Sequence, residues 1–167
     1  GFPGFISMNL VKEMIEKRYD IEKIYLLVLP EMKEKAEKEI GKLLQTLSVA
    51  RNKDIFKIVI GDITKENLNI ADEINERLQS TVTHVFHLAA IYDLAVPKDI
   101  AYKVNVTGTD HVNKWLKKLQ KLERYIYFST AYVSGKREGK ILETELDENQ
   151  TFKNHYEQTK FEAEVLV

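Results

Sequence analysis

Amphipathic segments and uninterrupted apolar segments alternate along the chain. From Ser7 to Arg18, apolar residues recur at the spacing of one helix face, with lysine and glutamate between them, which predicts an amphipathic helix. An unbroken apolar run from Ile24 to Leu29 ends at Pro30, as is typical of a strand covered on both faces. A charged helix is predicted next, from Glu31 to about Ser48.

The same alternation continues to the end of the sequence. Strands are predicted at 55–60, 84–88 and 125–128, and helices at 71–78, 97–119 and 156–167. Strands that alternate with helices in units of this length predict an α/β fold, a three-layer Rossmann-type doubly wound parallel sheet. Ligands of such sheets bind at the carboxyl ends of the strands.

Composition limits the classes of protein to consider. A chain of 167 residues is the size of one domain, and 44% hydrophobic with 31% charged residues is typical of a soluble globular protein. A net charge of -1 gives no general attraction to nucleic acid, and no apolar run approaches the roughly 20 residues that span a membrane. The absence of cysteine excludes disulfides and a cysteine nucleophile and fits the cytoplasm, while four scattered histidines suggest no metal site.

Gly1, Gly4 and Ser7 stand where a nucleotide-binding turn has its small residues, just before a helix whose first amides can hold a pyrophosphate. The same residues are also typical of a plain turn. A nucleotide-binding turn follows a strand, so we expect a strand upstream of Gly1, and we expect further strands after the last helix. Residues 1–167 are therefore interpreted as a single partial dinucleotide-binding domain, expected to be unstable or inactive as a fragment.

The sequence contains Tyr-x-x-x-Lys three times. The chemistry of this pair requires a helix, because only there do the two side chains lie one turn apart, so that the ammonium favours the phenolate. Tyr19/Lys23 lies in a connection between a helix and a strand, and Tyr132/Lys136 contains Gly135. Tyr156/Lys160 opens a segment of good helix formers and is the predicted pair.

Thr130 follows a predicted strand and precedes Tyr156 by 26 residues. The strand end and the helix start would bring a hydroxyl, a phenol and an ammonium to one edge of the sheet. The hypothesis is that Tyr156 protonates a carbonyl oxygen as hydride arrives from a nicotinamide, that Thr130 hydrogen-bonds this oxygen, and that Lys160 tunes Tyr156 and contacts the ribose.

Six motifs occur in the order of a known family: GFPGFIS, GDIT, HLAAIYDL, NVTGT, FSTAYVSG and YEQTKFEAE. Together they resemble the extended short-chain dehydrogenase/reductase family, and within it the branch of fatty acyl-CoA and thioester reductases with a "male sterility" NAD-binding domain. The resemblance covers nearly the whole chain and implies an NAD(P)-dependent oxidoreductase. Family members also carry a substrate domain after the helix that ends this chain.

The resemblance implies a role for each matching position. The catalytic set would be Thr130, Tyr156, Lys160 and a supporting Asn105. The cofactor would be bound by the glycine turn, by the ends of two strands and by the lysine: Gly1, Phe2, Pro3, Gly4, Phe5, Ile6, Asp62, Ile63, Leu88, Ala89, Ala90, Tyr92 and Lys160.

Simpler interpretations stay open for some of these positions. Asp62 is also typical of a turn at a strand end, Asn105 of a polar helix face, and Tyr92 of a cover over a strand end. His87 is interpreted as a core histidine rather than as a catalytic residue.

The implied cofactor is NADP, with NAD left open. NADP-linked members usually have a basic residue just after the second strand, where this chain has Leu29. Lys33 or Lys35 would have to replace it, and both also fit a solvated helix face. The expected partner is a small carbonyl compound or acyl thioester, with a homodimer left open.

Two rival functions remain at this stage. A nucleotide-sugar epimerase or dehydratase uses the same Thr-Tyr-Lys set on the same fold. A non-catalytic, cofactor-binding regulatory protein would share the fold but has no need of the Tyr156/Lys160 pair.

Overall fold

The computed structural model describes residues 1–17, 20–46 and 53–167. They form two compact units. The first comprises Gly1–Asp62 and Asn69–Glu76, and the second comprises Ile63–Leu68 and Arg77–Val167. Of the helices described, none has the length and apolar character needed to cross a membrane.

The first unit is a parallel β-α-β unit preceded by a helix. Its elements are α1 (Phe5–Glu16), β1 (Ile24–Val28), a 3-10 turn (Pro30–Met32), α2 (Lys33–Thr46), a second 3-10 turn (Lys53–Ile55) and β2 (Phe56–Ile60). The strands are parallel, with Ile24 opposite Phe56 and Val28 opposite Ile60. The predicted end of the second helix, Ser48, lies outside the described residues.

Burial in this unit follows the apolar pattern. The alternate β1 residues Leu26 and Val28 are buried, as is Ala36 on α2. They belong to one hydrophobic core together with residues of the glycine turn, α1, α2 and the start of β2: Phe2, Val11, Leu43, Ile55 and Phe56. This packing anchors both ends of the turn that precedes α1.

The second unit contains the other parallel pair. A 3-10 segment (Glu66–Asn69) and α3 (Asp72–Thr81) precede β3 (His84–His87). A long helical segment, Lys98 to Leu116, leads to β4 (Arg124–Tyr127), and a 3-10 turn (Ala131–Ser134) and α6 (His155–Val165) follow. β3 and β4 are parallel, with His84 opposite Arg124 and His87 opposite Tyr127.

The apolar spacing predicted one helix over 97–119, but the structure divides this segment into three parts. It consists of α4 (Lys98–Ala101), a π-helical turn (Tyr102–Thr107) and α5 (Gly108–Leu116). The Asn105 carbonyl accepts a hydrogen bond of 2.6 Å from the Thr109 hydroxyl. Because this partner is a side chain, the periodicity of apolar residues carries no sign of it. Single-turn π segments are frequent at functional sites.

Candidate active site

The glycine turn before α1 is closed by its own backbone and by Ser7. Gly1 O accepts from Gly4 N at 2.7 Å and from Ser7 Oγ at 3.0 Å, and Ser7 Oγ also lies 2.9 Å from Gly4 O. A Cβ on Gly4 would lie 2.6 Å from Gly1 O, so a side chain at this position would force the turn open. Ser7, the third small residue of the predicted turn, is buried, and its hydroxyl stabilises the turn.

The N-terminus of α1 has the features of an anion site. Gly4 caps the helix without a side-chain hydrogen bond, and the first turn carries no acidic residue. Phe5 and Ile6 are exposed at its start. The free amides and the helix dipole therefore fit a cofactor diphosphate. Of the predicted residues, Phe2 places its side chain in the hydrophobic core.

The end of β2 separates Asp62, in the first unit, from Ile63, in the second. Asp62 is half-buried. Ile63 O accepts from His111 Nδ1 at 2.9 Å, which fixes the proton on that nitrogen. The Ile63 side chain lies against Gly108, where a Cβ would approach its Cδ1 to 2.8 Å. Gly108 thus lets the long helix pack closely on this predicted adenine-binding residue.

The segment after β3 is anchored by Asn105. Leu88, Ala89 and Ala90 are half-buried, and Tyr92 is 82% exposed. Asn105 Oδ1 accepts from Ile91 N at 2.9 Å, and Asn105 Nδ2 donates to Ile91 O at 3.1 Å. An open cleft of about 730 Å³ borders this segment and is lined by Ala90, Ile91, Tyr92, Asp93 and Leu94.

Asn105 also reaches the helix that carries the predicted pair. Its Nδ2 lies 3.0 Å from Thr159 Oγ1 on α6, and Asn105 is only 1% exposed. The asparagine is therefore not a polar group on an exposed helix face. It joins the strand-end segment, the π-helical turn and α6 in one buried hydrogen-bond network.

The start of α6 is fixed by a side-chain cap. Asn154 Oδ1 accepts from Glu157 N at 2.9 Å, and Glu157 Oε2 accepts from Lys153 N at 2.9 Å. This reciprocal arrangement resembles a capping box. It orders the first helical turn, in which Tyr156 stands half-buried.

Lys160 lies one turn after Tyr156 and is 3% exposed. Its Nζ donates to Tyr127 Oη at 2.6 Å and to Phe128 O at 2.8 Å, so the ammonium lies at the carboxyl end of β4. Both of these Lys160 hydrogen bonds go to Tyr127 in β4 and to the residue that follows it, rather than to Tyr156. Burial lowers the pKa of Lys160 to about 8, against the opposing effect of Glu164.

Thr130 ends the extended stretch after β4 and caps the following 3-10 turn. Its Oγ1 accepts from Tyr132 N at 3.3 Å. The neighbouring Ser129 donates its hydroxyl proton to Glu164 on α6. This 3-10 turn and the π-helical turn both pack against α6. The second unit thus brings the segments that carry Asn105, Thr130, Tyr156 and Lys160 into contact.

The structure describes two of the three Tyr-x-x-x-Lys matches and places only one of them on a single helix. The 3-10 turn that contains Tyr132 ends at Ser134, and Gly135 then adopts a φ of 63°, so Tyr132 and Lys136 do not share a helix. Tyr156 and Lys160 do share α6, as predicted. Tyr19 lies outside the described residues.

Sequence reasoning missed the groups around Lys160. Tyr127 lies inside the predicted strand 125–128 but in no motif, and Thr159 lies within the YEQTKFEAE motif without an assigned role. His87 is buried, as predicted for a core histidine, and its Nε2 lies 3.0 Å from Thr109 Oγ1. Burial, followed by the Lys160 charge, lowers the pKa of His87 to about 3, so this ring is neutral at physiological pH.

Comparison with known proteins gives the family. An NAD-binding family model described as male sterility protein matches residues 1–167. The chain belongs to this male sterility family. Its members bind a nicotinamide cofactor through this domain, and the turn before α1 fits such a group.

Relatives of this male sterility domain are reductases by name. A putative fatty acyl-CoA reductase of Drosophila melanogaster is 30% identical over 147 residues, which cover 86% of this chain and 27% of that protein. The alcohol-forming fatty acyl-CoA reductase of Simmondsia chinensis is 30% identical over 158 residues, covering 86% of this chain and 32% of that protein. The chain thus spans about a third or less of these relatives.

A solved structure confirms the predicted fold class of the male sterility domain. The terminal R domain of the myxalamid PKS-NRPS biosynthetic pathway superimposes with a TM-score of 0.81 at 26% identity. The alignment covers 99% of this chain and 42% of that one. The Rossmann-type α/β fold predicted from the alternation of strands and helices is therefore confirmed.

Proposed function

We propose that the complete protein is an NADPH-dependent reductase of acyl thioesters or related carbonyl compounds, with Thr130, Tyr156 and Lys160 as its active site. The observation that carries this proposal is the Asn105 network, which ties α6 to the strand-end segment at Ile91. Burial of an asparagine is costly unless its polar atoms are hydrogen-bonded, and a fully bonded one holds its neighbours in a fixed geometry. Those neighbours carry the candidate proton donor and its cation.

When bound, the nicotinamide would supply hydride to the carbonyl carbon. Tyr156 has the role of proton donor to the carbonyl oxygen, since its phenolic hydroxyl can release a proton to an oxygen that gains negative charge as hydride arrives. Thr130 donates a hydrogen bond to the same oxygen. Lys160 supplies a buried positive charge one helical turn away, which favours the phenolate left after proton transfer.

The names of the relatives support an acyl thioester as substrate, because both curated relatives described above are called fatty acyl-CoA reductases. The open cleft beside Ala90 and Tyr92 provides space for a substrate on the side of the strand-end segment. The chain has no cysteine, so a covalent thioester exchange with a cysteine of this segment is excluded. Direct hydride transfer to the thioester carbonyl needs no such residue.

The choice of NADPH over NADH rests on the family resemblance. Because one strand is expected upstream of Gly1, β1 corresponds to the second strand of the family. Leu29, 39% exposed, stands directly after β1, where a basic residue is expected. Lys33 is the first residue of α2, and its Nζ lies 3.9 Å from Glu37 Oε1. Such an exposed i,i+4 pair is weak and leaves Lys33 available to a phosphate.

The test is made on the complete protein with purified acyl-CoA, a free aldehyde and a nucleotide sugar as separate substrates. We expect oxidation of NADPH with the acyl-CoA or the aldehyde, and slower oxidation of NADH. Turnover of the nucleotide sugar alone would favour the epimerase or dehydratase. Cofactor binding without turnover of any of the three would favour the regulatory protein.

A further inference from the structure

No motif in the sequence singles out Tyr127, the last residue of β4. Its hydroxyl oxygen accepts from Lys160 Nζ at 2.6 Å, and the centroid of its ring lies 4.1 Å from the same nitrogen. One side chain therefore contacts the buried ammonium through both an oxygen lone pair and the face of its aromatic ring. Both contacts are favourable to a cation and stronger away from water.

The direction of the hydrogen bond between Lys160 and Tyr127 is fixed by the donor. A protonated lysine has three donors and no acceptor, so the Tyr127 oxygen presents a lone pair to the ammonium. The proton of the Tyr127 hydroxyl therefore points away from Lys160.

The neighbouring histidine is held by Thr109. His87 Nε2 lies 3.0 Å from Thr109 Oγ1, whose single proton goes to Asn105 O at 2.6 Å, so Thr109 accepts and Nε2 carries the hydrogen. The His87 ring is 5.4 Å from the Tyr127 ring and is neutral, so it brings no second positive charge against Lys160. The Lys160 ammonium is therefore the one positive charge among these three side chains, Tyr127, His87 and Lys160.

We propose that Tyr127 is a positioning residue that holds the Lys160 ammonium at the carboxyl end of β4 and favours its protonated form. This inference rests on the proposed function, in which that charge serves Tyr156. Tyr127 touches neither substrate nor cofactor in this role. It acts through Lys160 alone.

The groups that face Lys160 set the direction of the expected change. Burial lowers the pKa of Lys160 to about 8 and Glu164 on α6 opposes this, while Tyr127 on β4 supplies an acceptor and His87 on β3 is neutral. Tyr156 precedes it by one turn of α6. Loss of the Tyr127 oxygen removes a hydrogen bond to the charged form, so the pKa of Lys160 falls further, by about one unit or more.

The direct test is an NMR titration of the complete protein labelled with ε-¹³C lysine, in which Lys160→Arg assigns the Lys160 signal. We expect a wild-type midpoint near pH 8 and a midpoint lower by about one pH unit or more in Tyr127→Phe. Tyr125→Phe is the matched control. Tyr125 lies on the same strand and its buried hydroxyl has no hydrogen-bond partner among the described residues, so the midpoint should not move.

A second variant gives an independent result if Tyr127→Phe does not fold. Tyr127→Met keeps a flexible apolar side chain but lacks both the oxygen and the ring, so the midpoint of Lys160 should fall at least as far as in Tyr127→Phe. An unchanged midpoint in whichever of these variants folds would overturn the positioning role.

Kinetics separate this inference from the proposed function. In an active enzyme, kcat falls as rising pH deprotonates Lys160. In Tyr127→Phe this fall should begin at a lower pH than in the wild type, with KM for the carbonyl substrate little changed. A shifted Lys160 midpoint in a protein that turns over no carbonyl substrate would refute the function and leave the positioning role intact. Normal turnover by the wild type, together with an unshifted Lys160 midpoint in Tyr127→Phe, would support the function and refute the positioning role.

Discussion

Asn105 is the residue on which the geometry of the candidate site depends most. Its two amide atoms bond the backbone of Ile91 on one side and Thr159 on the other. Its own backbone carbonyl accepts from the Thr109 hydroxyl at the start of α5. Both polar atoms of this buried side chain thus have partners outside the π-helical turn, in the Ile91 segment and on α6, and a single residue can in this way fix the mutual placement of three segments.

Substitution of Asn105 should therefore loosen the strand-end segment first. In Asn105→Ala the Ile91 amide loses its acceptor, and we expect its hydrogen exchange in the complete protein to accelerate by about 10- to 100-fold. Asn9→Ala is the control, because Asn9 is exposed and its amide bonds only Phe5 O within α1. Unchanged exchange at Ile91 would mean that the segment is held by other contacts.

At the residue scale, the sequence allowed the choice of Tyr156/Lys160, because helix formers and the position of Gly135 are local signals. It did not predict where the ammonium points. Lys160 meets Tyr127 across 33 positions of sequence, and such a pairing depends on the packing of α6 against β4. The same holds for Asn105 and Thr159, which are 54 positions apart.

At the element scale, α6 depends on its first turn. Asn154→Ala removes the acceptor for Glu157 N, and loss of such a cap costs about 1 kcal/mol. We expect faster hydrogen exchange at Glu157 and a several-fold lower kcat, because Tyr156 stands in the turn that frays. Asn154→Ser keeps a capping oxygen and should restore both values toward wild type. Equal behaviour of the two variants would exclude the cap as the cause.

The connection between β4 and α6 depends on Gly135. Gly135 has a φ of 63°, and a Cβ there would overlap the Thr151 carbonyl oxygen, the acceptor for Lys136 N. Gly139 also has a positive φ, 85°, but has open space around its Cβ position. We expect Gly135→Ala to lower the thermal midpoint of the complete protein clearly more than Gly139→Ala does. Similar midpoints would show that the clash is relieved.

The order and type of the main helices and strands followed from hydrophobic periodicity, and their observed bounds differ from the predicted ones by a few residues. The periodicity did not predict the π-helical turn or the 3-10 turns. Their backbone depends on single hydrogen bonds such as Thr109 to Asn105 O and Tyr132 N to Thr130 Oγ1. A pattern of apolar positions contains no information about these bonds.

At the scale of the whole molecule, the parallel pairs and the connecting helices agree with the Rossmann-type fold of the related R domain. The glycine turn of the first unit and the Asn105 network of the second are each complete in their own contacts. The chain spans 27% and 32% of the two fatty acyl-CoA reductases compared above, so activity is best measured on the complete protein.

The most direct measurement is turnover by Tyr156→Phe in the complete protein, with cofactor affinity measured on the same sample. The phenolic hydroxyl is the only group removed, so kcat should fall by about 100-fold or more while the cofactor dissociation constant stays within a few-fold of wild type. Tyr132→Phe makes the same change in the Tyr-x-x-x-Lys match whose two residues do not share a helix, and it should leave turnover near wild type. Wild-type turnover by Tyr156→Phe would contradict the assignment of the proton donor.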